Sequence, residues 1–442
     1  DNTRLDTTDQ LNNASSGGGG FNTRVTFTEP VSEFSRLQAN YRFRNTSRYA
    51  EREAYDYLAA TGQYDLLNMD LSNRFRNDYL YQEAGMEYQF RKDDFLLELG
   101  ADYQLADSRN HQLFPEEEKA RRSFHSVLPE ASLRYNLSKD RRLRFSYETD
   151  TDPPSIRDLQ DVIDNSSPLN IRAGNPDLKQ EFRHDLSLEY SSVDRETSRH
   201  FSASFSADIA SNQIVSSEFI AREDSLIAEG IVLGKGARFS RPENVNGYYS
   251  LRSHISYGIP VEALKLNVNL NTGLRHVHDV GLQNRAAIYS DSYGFHQGVS
   301  VYSNINENVE FGLRTRINYN IVRNSREGEL NYNYFSQDIS ADASYIFWKG
   351  LHLASNIGYR YNRGLSAGYD QGYLIWNAFI GKKILKQQNA EITLSAYDLL
   401  NNNTSIDRNV NERYVEDTQT NILKQYFLLS FSYHLRKFGL HN

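Results

Sequence analysis

The sequence has no cysteine, only 2 methionines and 2 tryptophans, and 9 prolines scattered over 442 residues. Without cysteine no disulfide forms, and the lack agrees with a β protein of the cell envelope. No run of 18 apolar residues occurs and mean hydropathy is −0.67, which excludes membrane helices. It does not exclude a membrane barrel, whose strands alternate lipid-facing and water-facing residues and so average to polar. No Pro/Gly/Ser linker divides the chain, so one large architecture is expected rather than two or three domains. No basic cluster stands out among 49 basic and 57 acidic residues, net −8, and nucleic acid is not an expected partner. The first twenty residues do not have the basic start and apolar core of a secretion signal. Asp1 to Gly20 is polar and ends in Ser15, Ser16 and four glycines, which reads as a flexible loop.

What is abundant is tyrosine (30) and phenylalanine (23), set in alternating segments. Phe21, Thr23, Val25 and Phe27 open the series, and Phe34 to Tyr49, Tyr79 to Phe90, Phe95 to Leu105, Phe124 to Leu137 and Arg142 to Tyr147 follow. Beyond residue 185 the alternation tightens. Phe201 to Ile209 reads as a strand that continues towards Phe219. Leu264, Leu266, Val268 and Leu270 interleave with Lys265, Asn267, Asn269 and Asn271, and Phe427, Leu429, Phe431, Tyr433 and Leu435 close the chain. Short turns alternate with longer connections rich in Asn, Asp, Ser, Arg and Glu, the rim asymmetry of an outer-membrane barrel. The expected fold is therefore all-β: a transmembrane antiparallel β-barrel over residues 21–442 with about seventeen strands. Several strands exceed the roughly 9 to 11 residues that cross a bilayer and should project as a collar. A soluble sandwich, propeller or solenoid also alternates, but the strands here are too long for sandwich repeats, and their polar faces run in continuous rows.

The longest connection runs from Pro153 to Tyr190. Paired prolines end the strand before it, Pro168 and Pro176 are expected to bar helix or ladder within it, and Leu186, Leu188 and Tyr190 begin the next strand. A loop of this length in a compact fold is usually a binding or gating element. Arg157, Asp158, Asp161, Asp164, Asn165, Arg172 and Asn175 are its candidate contacts, placed at the barrel mouth, where they bond neighbouring loops or meet cargo.

The same stretch carries a resemblance. Leu159 to Glu181, with its Gly174-Asn175-Pro176-Asp177-Leu178-Lys179 core, resembles the signature loop of TonB-dependent outer-membrane receptors, in particular the Bacteroidetes-type β-barrel group. That family usually has proline where this chain has Gln180. Tyr426 to Tyr433 is similar to the terminal strand of the group. The resemblance covers the barrel only and implies a 22-stranded barrel around a globular plug. A missing N-terminal plug and about five earlier strands are therefore expected upstream. It also implies outer-membrane lipid around the barrel and a TonB-type energy transducer as partner.

No Gly-Xaa-Ser-Xaa-Gly elbow, Walker loop or His-Glu-Xaa-Xaa-His motif is present, so no enzyme activity and no cofactor is expected. His276 and His278 share a strand face without a third ligand nearby, and read as a lumen or loop pair rather than a metal site. The function expected is import of a nutrient such as a metal chelate, glycan or peptide. Aromatic stretches at Tyr49 to Tyr64 and Tyr361 to Tyr373 offer stacking surfaces for it, or else belong to the aromatic girdle. The alternative is a non-transporting barrel that docks a partner such as a surface lipoprotein.

Overall fold

A computed structural model describes residues 10–58, 60–69, 72–159, 163–164, 167, 169–228, 231–303, 305–306, 308–325, 331–364, 370–385, 389–403, 405–410, 415–420 and 422–434. Seventeen strands follow one another as an antiparallel meander among the described residues. The first six are β1 (Gln10–Pro30), β2 (Ser35–Leu58), β3 (Asn73–Lys92), β4 (Phe95–Phe114), β5 (Glu118–Ser138) and β6 (Arg141–Asp152). Then come β7 (Glu181–Asp194), β8 (Arg199–Ser211), β9 (Tyr249–Val261), β10 (Leu266–Gln283), β11 (Ala286–Ser303) and β12 (Val309–Asn324). The last five are β13 (Tyr332–Phe347), β14 (Leu351–Arg363), β15 (Gln371–Ile384), β16 (Ala390–Tyr397) and β17 (Tyr426–Tyr433). The sheet totals 22 segments, but five of these are short loop strands, so that total is not the 22 of the resemblance.

Each strand pairs with its neighbours because side chains of one parity are apolar and those of the other are polar, and a one-residue slip would exchange the two faces. Tyr257↔Leu270↔Val299↔Thr315↔Ile339 crosses five strands on one face, and Ser256↔Asn271↔Gly298↔Arg316↔Asp338↔Arg360 crosses six on the other. The apolar face stays exposed: Phe27 by 64%, Leu274 by 57% and Leu429 by 71%. A stripe of this extent on every strand suits hydrocarbon, since soluble monomers keep exposed apolar patches to a few hundred Å² at most. No helix of the described residues is long and apolar enough to cross a membrane.

Turns at residues 31–34, 93–94, 139–140, 195–198, 262–265 and 348–350 share one rim, and the long connections share the other. On the second rim β1 to β5 run 20 to 24 residues, about twice what a bilayer needs, and form the expected collar.

Four local expectations are corrected. Residues 10–20 are strand, not loop, because the backbone of β2 offers Asn12 to Gly20 a continuous ladder at Ala54 to Thr46 that overrides the low propensity of serine and glycine. The strand ending at Ser211 does not continue. Asn212 turns left-handed (φ 54°), and residues 213–220 leave the wall to pair with 238–245. Leu264 closes a 3₁₀ turn and Lys265 is left-handed, so β10 begins at Leu266. The loop after β6 contains a helical turn at Ile156–Leu159 and short strands at Ile163–Asp164 and Asn170–Ala173, because a proline blocks only its own position and neither Pro168 nor Pro176 lies within them. Leu435 of the closing segment lies outside the described residues.

Candidate functional site

The long loop and the excursion after β8 form one structure. Residues 238–240 pair in parallel with 170–172, and 217–218 with 282–283 of β10, so a small sheet is sewn onto the rim of the wall. It has its own core: Leu233 is fully buried, and Ile171, Ala221 and Ala237 pack with it, flanked by Ile163, Phe219, Ile227 and Phe239.

Asn175 clamps the two parts. Its Nδ2 donates to the Pro242 carbonyl at 2.9 Å, its Oδ1 accepts from Arg241 at 3.0 Å, and the Asp177 amide returns to the same oxygen at 3.1 Å. Lys179 N and O are both held by the Asn244 side chain. Of the other loop candidates, Asp158 sits in the helical turn and its carbonyl takes the Asn175 amide, while Asp164 and Arg172 are exposed cross-strand partners. Arg157 lies in the same helical turn, and Asp161 and Asn165 lie outside the described residues. Gln180, which stands at the family's proline position, is buried with its Nε2 on Ser126 Oγ.

A second feature was not singled out by sequence. On the polar face of β9 to β15 lies an open recess of two lobes, about 540 and 990 Å³, that share His296. Its floor is glycine: Gly273, Gly294 and Gly298 on β10 and β11, and Gly358 on β14. A Cβ placed on Gly358 would meet nothing within 4 Å. Five arginines line it (Arg252, Arg275, Arg314, Arg316 and Arg360) against one carboxylate, Asp338. Arg360 Nε bonds Asp338, Arg314 bonds Asp342 at 2.8 Å and lies over the Tyr302 ring at 5.6 Å. Arg252, Arg275 and Arg316 have no carboxylate within salt-bridge distance among the described residues. His254, His296, Tyr302 and Tyr373 add ring donors, and Asn403 and Ile422 reach in from the segment between β16 and β17. The signal was present in the parity of the strands, where arginine and glycine share the polar positions.

The neighbouring sector has the opposite sign. Glu148, Asp185 and Asp208 stand directly across from one another on β6, β7 and β8. The boundary falls between β8 and β9, where Asp208 faces Ser250 and Ser206 faces Arg252.

His276 and His278 are not on this face. They share parity with Leu270 and Leu274, so they point outward, and both ring nitrogens lie on Asp291 Oδ1 at 3.0 and 2.9 Å, between Tyr293, Tyr249 and Tyr289. Tyr57 and Tyr64 pack edge-to-face on each other at 5.4 Å, whereas Tyr373 lines the recess.

No curated protein matches the sequence. Similar solved structures include the copper transporter OprC, at 10% identity and a TM-score of 0.46 over 87% of this chain. The ferric-catecholate import receptor Fiu of E. coli K12 in its open form is 9% identical, with a TM-score of 0.32 over 98% of this chain and 82% of that one. The outer membrane transporter YddB of Escherichia coli is 10% identical, with a TM-score of 0.23 over 90% of this chain and 75% of that one. The chain spans 61% of the length of OprC. At these scores the likenesses carry no functional argument. Residues 1–433 match the model of the outer membrane protein beta-barrel family, so this chain belongs to that family, and the sheet is a barrel wall of the outer membrane with its polar face to the lumen.

Proposed function

We propose that the chain is the barrel of a TonB-dependent importer of the Bacteroidetes type, and that the recess on its lumen wall is a station for cargo. The observation that carries this reading is the recess itself. Side chains are withdrawn at four lumen glycines, leaving two lobes that are each within the roughly 300–1,000 Å³ typical of ligand sites, rimmed by convergent polar groups. A passive wall has no reason to concentrate arginine, histidine and tyrosine around an open floor. The Gly174–Lys179 motif and the closing Tyr426–Tyr433 strand support the family subgroup, and with it a plug and an inner-membrane energy transducer as partners.

The test is depletion of a complex medium by cells with and without the full-length protein. Solutes removed only by producing cells are the cargo, and their removal should stop when a protonophore collapses the inner-membrane potential. Removal that persists under the protonophore sinks energised import.

A docking platform is the second reading, and the rim sheet favours it. Leu169, Leu226 and Val232 are exposed there by 68, 72 and 57% beside a well-packed small core. Surface capture of a lipoprotein without any producer-dependent solute removal would support it.

A further inference from the structure

We infer that the lumen recess selects an anion, a compact cargo bearing several carboxylate or phosphate groups. Arg252 and Arg275 are direct cross-strand neighbours on the lumen face. Like charges in that position destabilise a sheet, and no carboxylate within salt-bridge distance relieves them among the described residues. Arg316, one lobe away, has a carboxylate across from it, Asp338, but that group is bonded by Arg360 and forms no salt bridge with Arg316. Three guanidinium groups that line the recess thus have no carboxylate partner among the described residues. The planar fork of each matches a carboxylate or phosphate in two parallel hydrogen bonds.

The glycine floor supplies the room. The four positions that would otherwise fill the space between the arginine rows carry no side chain, and substituted carbons at Gly298 and Gly358 would meet at most ordinary contacts. Those glycines are therefore not demanded by packing at these two sites. The carboxylate row Glu148, Asp185 and Asp208 on the adjoining strands repels an anion and so confines it to the basic sector.

The experiment uses the full-length protein in detergent and calorimetric titration with pyrophosphate, citrate, sucrose and spermine. Pyrophosphate or citrate should bind, more weakly as salt rises, while sucrose and spermine should not. The double variant Arg275→Gln with Arg316→Gln should weaken anion binding about tenfold or more. Arg144→Gln, on the lumen face of β6 outside the recess, should leave it unchanged. Gly358→Leu fills the floor without a backbone clash, so it should weaken binding with heat-modifiable folding intact, and it decides the matter if the double variant does not assemble. Anion binding that neither the arginine pair nor Gly358→Leu affects overturns the inference, as does absence of anion binding or preference for spermine. The inference rests on the transport reading but fails separately from it. Energised uptake of a neutral or cationic solute removes the anion and keeps transport, whereas anion binding without energised uptake does the reverse.

Discussion

At the scale of single residues, parity decides what a substitution does. Leu270 faces lipid and Asn271 the lumen one position later. Leu270→Arg should impair insertion, since a cation on the lipid face at mid-depth costs about 2 to 4 kcal/mol, and Asn271→Arg should be tolerated. Comparing the heat-modifiable fraction of the two variants checks this, and equal yields would contradict the assignment of faces. Asp107 lies above the apolar band on β4, buried to 5% exposure. Burial pushes its carboxyl up, but hydrogen bonds from Arg121, Arg109 and Ser123 outweigh this and hold it below its ordinary 3.8. Its stabilising contribution is therefore complete above that value and lost as pH falls through the depressed one. Asp107→Asn should destabilise the collar by about 1 to 3 kcal/mol at neutral pH, with the difference from the parent shrinking in acid below 3.8. Proteolysis of the collar as a function of pH reads both.

At the scale of elements, the long loop after β6 acts as a brace. Its strand Asn170–Ala173 lies beside the 238–245 strand, and Asn175 joins the same partner through two hydrogen bonds, to Pro242 and from Arg241, so loop and excursion order one another. Leu233→Ala should cost the rim sheet about 2 to 5 kcal/mol, because the side chain is fully buried and leaves a cavity. Hydrogen exchange should then rise at residues 170–173 and 213–245 together while β9 to β12 stay protected. Uniform protection would show that the sheet is not one cooperative unit. The prolines of this loop were legible, and the strand end at Asp152 ahead of Pro153 agrees with them. What they could not show was the partner of the loop, which lies some 65 residues further on.

At the scale of the whole molecule, the wall is a sequence of local hairpins whose last member has one neighbour among the described residues. β17 pairs with β16 from Ala390↔Tyr433 to Tyr397↔Tyr426. In the proposed full-length barrel β17 also closes against the first strand, so removing Gln425 to Asn442 would open the barrel and leave edges in hydrocarbon, where each unpaired backbone group costs several kcal/mol. No heat-modifiable barrel should accumulate, and normal amounts of it would overturn the requirement. The lumen also has a sign pattern on this scale, a carboxylate row across β6 to β8 beside the arginine-lined recess of β9 to β15, which no single strand reveals.

Period-two alternation, turn residues and the absence of apolar helices were enough to determine from sequence an all-β wall of about seventeen strands, its two faces and its short-turn rim. These properties are local: each follows from residues two apart or from one turn. Three matters were decided only in the folded chain. The serine and glycine stretch at residues 10–20 became strand because β2 supplied its ladder, and residues 213–220 left the wall because their partner is the 238–245 segment. The recess arose because register set Arg252 beside Arg275 and Arg316 beside Gly298. Register between strands distant in sequence depends on pairing energies summed along whole ladders, and so the site became visible only in the tertiary structure.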